Sequence, residues 1–190
     1  GLSLLSYLLG SIPTAIWYGD RYHGMDIRQH GSGNAGATNT FRVLGKKAGC
    51  FVLFVDAFKG FAAASLATVL YSFNLVDWQT CVTLKILFGF LAIIGHLLPV
   101  FCDFKGGKGV ATTLGMVIAL HPQAACVSSL VFLLVFAISH YVSLGSMVTS
   151  VVFPLLLQFE VFGKELPILI YFGFIISFLV IFTHRKNIGR

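Results

Sequence analysis

Seven apolar stretches fill most of this chain, at 2–18, 48–73, 81–101, Val110–Leu120, 124–139, 141–159 and 166–183, and most charged residues fall between them. A helix needs about 20 mainly apolar residues to cross a bilayer. Only 11% of the residues are charged and 57% are hydrophobic, whereas soluble domains carry roughly 25% charged residues. A water-soluble fold of 190 residues could not hide so much Phe, Leu, Ile and Val, because its surface must be covered by groups that water tolerates. A bilayer removes that demand. The expected architecture is an all-α integral membrane bundle of seven transmembrane helices, forming a single domain over 1–190 with no repeat and no soluble module.

Several boundaries are decided by local chemistry. Val110–Leu120 spans about 16 Å at 1.5 Å per residue, so it crosses only if it extends back through the preceding glycines or borders a water-filled cavity. His121-Pro122 reads as a turn, since proline disfavours helix in the residue before it. The stretch 2–18 has no basic leader and no small-residue cleavage site, so it reads as the first span rather than a removable signal. Gly1 in place of a methionine implies a trimmed or processed start. Cys50, Cys81, Cys102 and Cys126 are scattered without metal-ligand spacing and read as small apolar residues.

Charge tests the count. With seven crossings, one side carries Arg21, Arg28, Arg42, Lys46, Lys47, Lys105, Lys108, Arg185, Lys186 and Arg190, ten of the thirteen Lys and Arg. The other side carries Lys164 with Asp77, Glu160 and Glu165. Basic residues remain in the cytoplasm, so the expected N-terminus is outside and the C-terminus inside. Fusing 110–139 into one helix would give six crossings and expel the basic end.

The loops on that side are built for anions. Gly31-Ser-Gly-Asn-Ala-Gly-Ala-Thr-Asn39 is followed by Arg42, Lys46 and Lys47. Glycines bring backbone close to a ligand, and successive amides in such a turn form an anion-binding nest. Ser32, Thr38 and Asn39 add donors, and Arg42 offers a planar fork. The match of Gly31, Gly33 and Gly36 to a dinucleotide fingerprint is misleading, because that motif needs a preceding strand. A flexible connector is the plain alternative. Lys105-Gly-Gly-Lys-Gly109 gathers two ammonium groups at a helix start. It lacks the spacing of a nucleotide-binding P-loop, and a simple topological anchor is its plain alternative. His184-Arg-Lys-Asn-Ile-Gly-Arg190 ends the chain; alone, its cations would merely face anionic lipid.

Other polar residues read mainly as structural. Asp56 and Lys59 share a helix face three residues apart and can pair; an intramembrane ion pair is by default a functional-site candidate, and a structural pair near the interface is at least an equal reading. His96 and Pro99 shape a helix end, Ser143 alone would be a helix cap, and Lys85 can snorkel to the outer interface.

The motifs SGNAGATN (32–39), KGGKGVAT (105–112) and HRKNI (184–188), in this order, resemble the bacterial acyl-phosphate:glycerol-3-phosphate acyltransferases of the inner membrane. LLGSIP, D-x-x-KG at 56–60, GHLLPVF at 95–101 and YVSLGS at 141–146 extend the resemblance along the chain. It implies transfer of a fatty acyl group from acyl phosphate to glycerol 3-phosphate, giving lysophosphatidate and phosphate at a site facing the cytoplasm. By matching position it implies a catalytic set of Ser32, Asn34, His184 and Asn187. Gly33, Gly36, Ala37, Thr38, Asn39, Arg42, Lys105, Gly107, Lys108, Ser143 and Arg185 would bind substrate. Membrane lipid is the expected surrounding, with no nucleic acid, no metal and no cofactor.

Two anionic substrates repel by about 4 kcal/mol at 4 Å for an effective dielectric near 20, and a basic, amide-lined site offsets this. An acyl phosphate is already activated, so positioning and charge stabilisation suffice. No His is followed at the fifth place by an acid, which excludes the catalytic pair of the other common glycerol-phosphate acyltransferases. The reading is direct transfer with a substrate phosphate oxygen taking the proton, and His184 as general base is the alternative. An organic-phosphate transporter would also want basic loops, but such proteins bind near the midplane between repeated halves.

Overall fold

The structure, a computed structural model, describes residues 1–188; Arg190, counted above with the loop-side cations, and the side chain of Lys186 lie outside the described residues. It is all-helical. The helices are α1 (Leu2–Ser11), α2 (Thr14–His23), α3 (Ala37–Leu44), α4 (Lys46–Ser72), α5 (Trp78–Leu97), α6 (Val110–Leu120), α7 (Pro122–Ser139), α8 (Val142–Gln158), α9 (Pro167–Thr183) and α10 (Arg185–Ile188). Of these, α4, α5 and α7 are long and apolar enough to cross a membrane.

Proline breaks the first apolar stretch, which the sequence reading took as one span. Pro13 has no amide hydrogen and keeps Ile12 extended at φ −59°, ψ 111°, so α1 stops and α2 starts afresh. The segment 20–47 is not a plain loop either. Gly24, at φ 60°, closes α2, and α3 occupies the second half of the segment, its Phe41 ring lying over Gly49 of α4.

Helix α6 matches its expected bounds and does not extend back through the glycines, because Gly109 sits at φ 80° and starts it from the left-handed region. It is instead lodged against α4 and α5. Gly60 backs onto the Thr112 carbonyl, Gly115 onto the Ala57 carbonyl, and Gly89 onto the Met116 side chain. Ala63, Ala64 and Ala67 beside them are fully buried. Small residues let membrane helices approach closely, and enclosure by protein relieves a short helix of meeting lipid at both ends.

The His121-Pro122 turn is tighter than expected, and α7 starts at Pro122 itself. A proline at the first helical position lacks a donor that would have been unpaired anyway. His121 caps the helix, its Nδ1 accepting from the Ala124 amide at 3.1 Å. Lys85 reaches toward the start of α5, its Nζ 5.9 Å from the Trp78 ring and donating to the Ala119 carbonyl at 3.0 Å, where it closes the end of α6.

Helices α8 and α9 are joined by a repair. Pro154, inside α8, cannot donate to the carbonyl four residues back, that of Ser150. The Ser177 hydroxyl of α9 reaches that carbonyl, and Gly173 one turn away packs on the Pro154 ring.

Candidate active site

The first glycine loop is held open by Asn39. Gly31 and Gly33 take φ of 62° and 71°, turning the chain so that Ser32 faces back onto α3. The Asn39 carbonyl oxygen accepts from the Ser32 amide at 2.8 Å and the Ser32 hydroxyl at 3.1 Å. Its amide donates to the carbonyls of Ile27 and His30 at 3.1 and 3.0 Å. Every donor of that buried side chain is thus used inside the loop. Asn39, read from sequence as a free donor, is the clamp that shapes the nest, and its own backbone amide is spent on the Gly36 carbonyl.

What the clamp leaves unpaired is backbone. Among the described residues, the amides of Asn34, Ala35, Gly36, Ala37 and Thr38 have no protein acceptor. Gly36 is the extended cap of α3, so the last two of these amides are also the orphans of a helix N-terminus, where anions are favoured. Thr38 and Arg42, four apart on α3, share its exposed face.

Two residues missed from sequence tie this loop to the second. Arg28 forks onto Asp26, with contacts of 3.0, 3.0 and 2.6 Å, and its Nη1 reaches the Cys102 carbonyl at 3.5 Å. The guanidinium holds the Asp26 carboxyl below the usual carboxylate value, and Asp26 raises Arg28 in turn. The acid-x-base triplet Asp26-Ile27-Arg28 ahead of the glycines was the available signal. A site cation that spends its fork on a carboxylate is a strut rather than a ligand.

The second loop hangs from the end of α5. The amides of Gly106 and Gly107 donate to the carbonyls of Leu97 and His96 at 3.2 and 3.1 Å. A Cβ on Gly107 would strike the His96 ring and approach the Ala35 carbonyl of the first loop at 2.8 Å. Only glycine fits between them. Lys105 is exposed, and Lys108 reaches the chain's end, its Nζ donating to Asn187 Oδ1 at 2.7 Å.

His184 completes this corner. It is 4% exposed, and its Nδ1 lies 2.8 Å from the Val180 carbonyl, which fixes the proton on Nδ1 and leaves Nε2 as acceptor. Burial pushes its pKa below the usual imidazole value, the Val180 bond pulls it up, and the Lys108 charge lowers it further. Ser143, in the first turn of α8, makes no hydrogen bond to either glycine loop among the described residues. The register set by Ser150 against Ser177 and Pro154 against Gly173 brings it level with His184. Arg185 turns away. Its guanidinium lies 4.3 Å over the Phe182 ring and donates to the Phe182 carbonyl at 3.2 Å.

Three motifs distant in sequence therefore meet at one end of the bundle: the amide nest touches the second loop at Gly107, and the second loop touches the C-terminal segment at Lys108. The whole of 1–190 matches the family model described as glycerol-3-phosphate acyltransferase. A glycerol-3-phosphate acyltransferase of Salinibacter ruber is 43% identical, the match covering 98% of this chain and 86% of that protein. One of Enterococcus faecalis is 42% identical over 100% of this chain and 86% of its own length. The crystal structure of PlsY, an integral membrane glycerol 3-phosphate acyltransferase in its glycerol 3-phosphate form, superposes with a TM-score of 0.84 at 41% identity, covering 100% of this chain and 89% of that one. Its lysophosphatidic acid form gives 0.82. The chain belongs to the glycerol-3-phosphate acyltransferase family.

Proposed function

We propose that this chain transfers an acyl group from acyl phosphate to glycerol 3-phosphate at the cytoplasmic face of the bacterial inner membrane. The hydroxyl oxygen of glycerol 3-phosphate attacks the acyl carbonyl, and the bond from that carbon to the phosphate oxygen breaks with its electron pair going to phosphate. The hydroxyl proton ends on a phosphate oxygen, so lysophosphatidate and inorganic phosphate leave. The observation that carries this reading is the row of unpaired amides at 34–38, joined through Ala35 and Gly107 to the loop whose Lys108 meets Asn187 and His184.

The amides from Asn34 to Thr38, with Gly36 at their centre and Ala37 beside it, hold the phosphate of the donor, and Gly33 sets the turn that leads into them. Arg42, Thr38, Lys105, Lys108 and Ser143 attract and seat glycerol 3-phosphate, Gly107 leaves room between the loops, and Arg185, stacked on Phe182, takes no part. Ser32, Asn34, His184 and Asn187 align the hydroxyl of glycerol 3-phosphate. Charge cancellation and alignment supply the acceleration, because the mixed anhydride needs no enzyme-bound acyl group. The acyl chain remains in lipid while its head enters the polar corner. As one domain, the chain crosses seven times through α1, α4, α5, α6, α7, α8 and α9, with the N-terminus outside. Helices α2 and α3 lie at the basic face.

The test is purified protein in detergent given both substrates. Phosphate released only when acyl phosphate and glycerol 3-phosphate are both present is the expected result. Release from acyl phosphate alone would make the protein a hydrolase, and uptake of glycerol 3-phosphate into sealed vesicles without turnover would make it a transporter.

A further inference from the structure

Beneath the two glycine loops lies a buried charged cluster that the reaction itself does not use. Asp56 and Lys59 of α4 pair at 2.8 Å with side chains almost wholly enclosed. The Asp56 carboxylate also accepts from the Thr14 hydroxyl at 3.0 Å and stands 3.7 Å from His96 Nδ1. Lys59 Nζ donates to the Ile12 carbonyl at 2.9 Å, an acceptor that the break before Pro13 leaves without its helical partner. Two residues of one helix turn thus hold the end of α1, the start of α2 and the end of α5.

The cluster is coupled upward through His96. The His96 carbonyl takes the Gly107 amide, and its ring lies against Gly107, which in turn abuts the Ala35 carbonyl. A cavity of about 10 Å³ is lined by Thr14, Ala35, Lys59, His96 and Gly107 among others. That is the volume of a single water, so no phosphate descends to the charges. They act through the loops.

We propose that Asp56, Lys59, Thr14 and His96 are a positioning unit that sets the distance between the amide nest and the Lys105–Lys108 loop. Buried charges are costly and tolerated when each has several partners, and here the partners include the end of α5, from which the second loop hangs, and the start of α2, whose Ala15 and Ile16 pack with Ile27 and Ala35 at the nest. Because the unit fixes the separation of two half-sites rather than the shape of either, its disturbance leaves each substrate bound and lowers the rate of their reaction. A misplacement near 1 Å can cost about 100-fold in rate.

This inference rests on the acyltransfer reading above, and the test separates the two. Thr14→Val is isosteric and removes only the hydroxyl on Asp56; Thr14→Ser keeps it. His96→Ala removes the ring under Gly107. For each variant in detergent, kcat is measured with both substrates, together with the dissociation constant of glycerol 3-phosphate and the melting temperature. The expected result is a kcat reduced about 10-fold in Thr14→Val and more in His96→Ala, affinity within about twofold of the parent, and recovery in Thr14→Ser. Full kcat in both Thr14→Val and His96→Ala overturns the proposal. So does a loss of kcat matched by equal losses of affinity and melting temperature, which marks a merely structural role. A parent protein that does not turn over refutes the acyltransfer reading instead.

Discussion

His184 is the side chain whose chemistry most needs deciding, and its surroundings define how. Held below the ordinary imidazole range by burial and by Lys108, it is neutral at pH 7 and so could accept a proton, yet the phosphate leaving group is an equally good destination. Replacement by Gln keeps a polar group and removes the base. We expect His184→Gln to retain turnover at saturating substrate across a pH series; a loss of 100-fold or more, as typical of a lost general base, would make it the base. The same shift has a stability consequence of definite sign. Above the usual value near 6.5 the folded and unfolded chains both carry neutral imidazole. As pH falls below it, the unfolded chain takes a proton that folded His184 refuses, and stability drops until the lower folded value is passed. The melting temperature of the parent should therefore fall more between pH 7 and pH 5 than that of His184→Gln.

At the scale of elements, the sequence exposed helices and hid their ends. The bounds of α6 were legible because apolar residues stop at a glycine on one side and at His121-Pro122 on the other. The break within 2–18 was not, since Pro13 lies inside an uninterrupted apolar run and hydropathy registers no gap. Helix α3 was hidden by its own motif: glycines and polar residues read as loop, although the amphipathic register of Ala37–Leu44 was there to find. Asn39 shows the same limit for the site, because composition reports a donor and only the fold reveals that the donor is consumed. The α8–α9 contact gives a test of element packing. Ser177→Ala leaves the Ser150 carbonyl unsatisfied and should destabilise by about 0.6–2 kcal/mol. Pro154→Ala returns an amide to that carbonyl, so the double variant Pro154→Ala/Ser177→Ala should lose less than Ser177→Ala alone. Equal losses in both would break the link between the two residues.

For the molecule as a whole, charge distribution predicted which segments would share a face, and the contacts from Arg28 to Cys102 and from Lys108 to Asn187 join those segments. Orientation in the bilayer is the next measurement. In a cysteine-free background in intact cells, a membrane-impermeant maleimide should label Lys164→Cys and spare Lys47→Cys until the membrane is opened. Labelling of both from outside would end the seven-crossing topology. The amide row at 34–38 carries a different consequence, for anyone mapping this enzyme by mutation. Peptide N–H groups survive side-chain truncation, so an alanine scan reports on Asn34 and Thr38 and is silent on the amides of Ala35, Gly36 and Ala37 between them. The cradle's weak points are elsewhere: at Gly31 and Gly33, whose backbone angles aim the row, and at Asn39, whose truncation would let the row collapse.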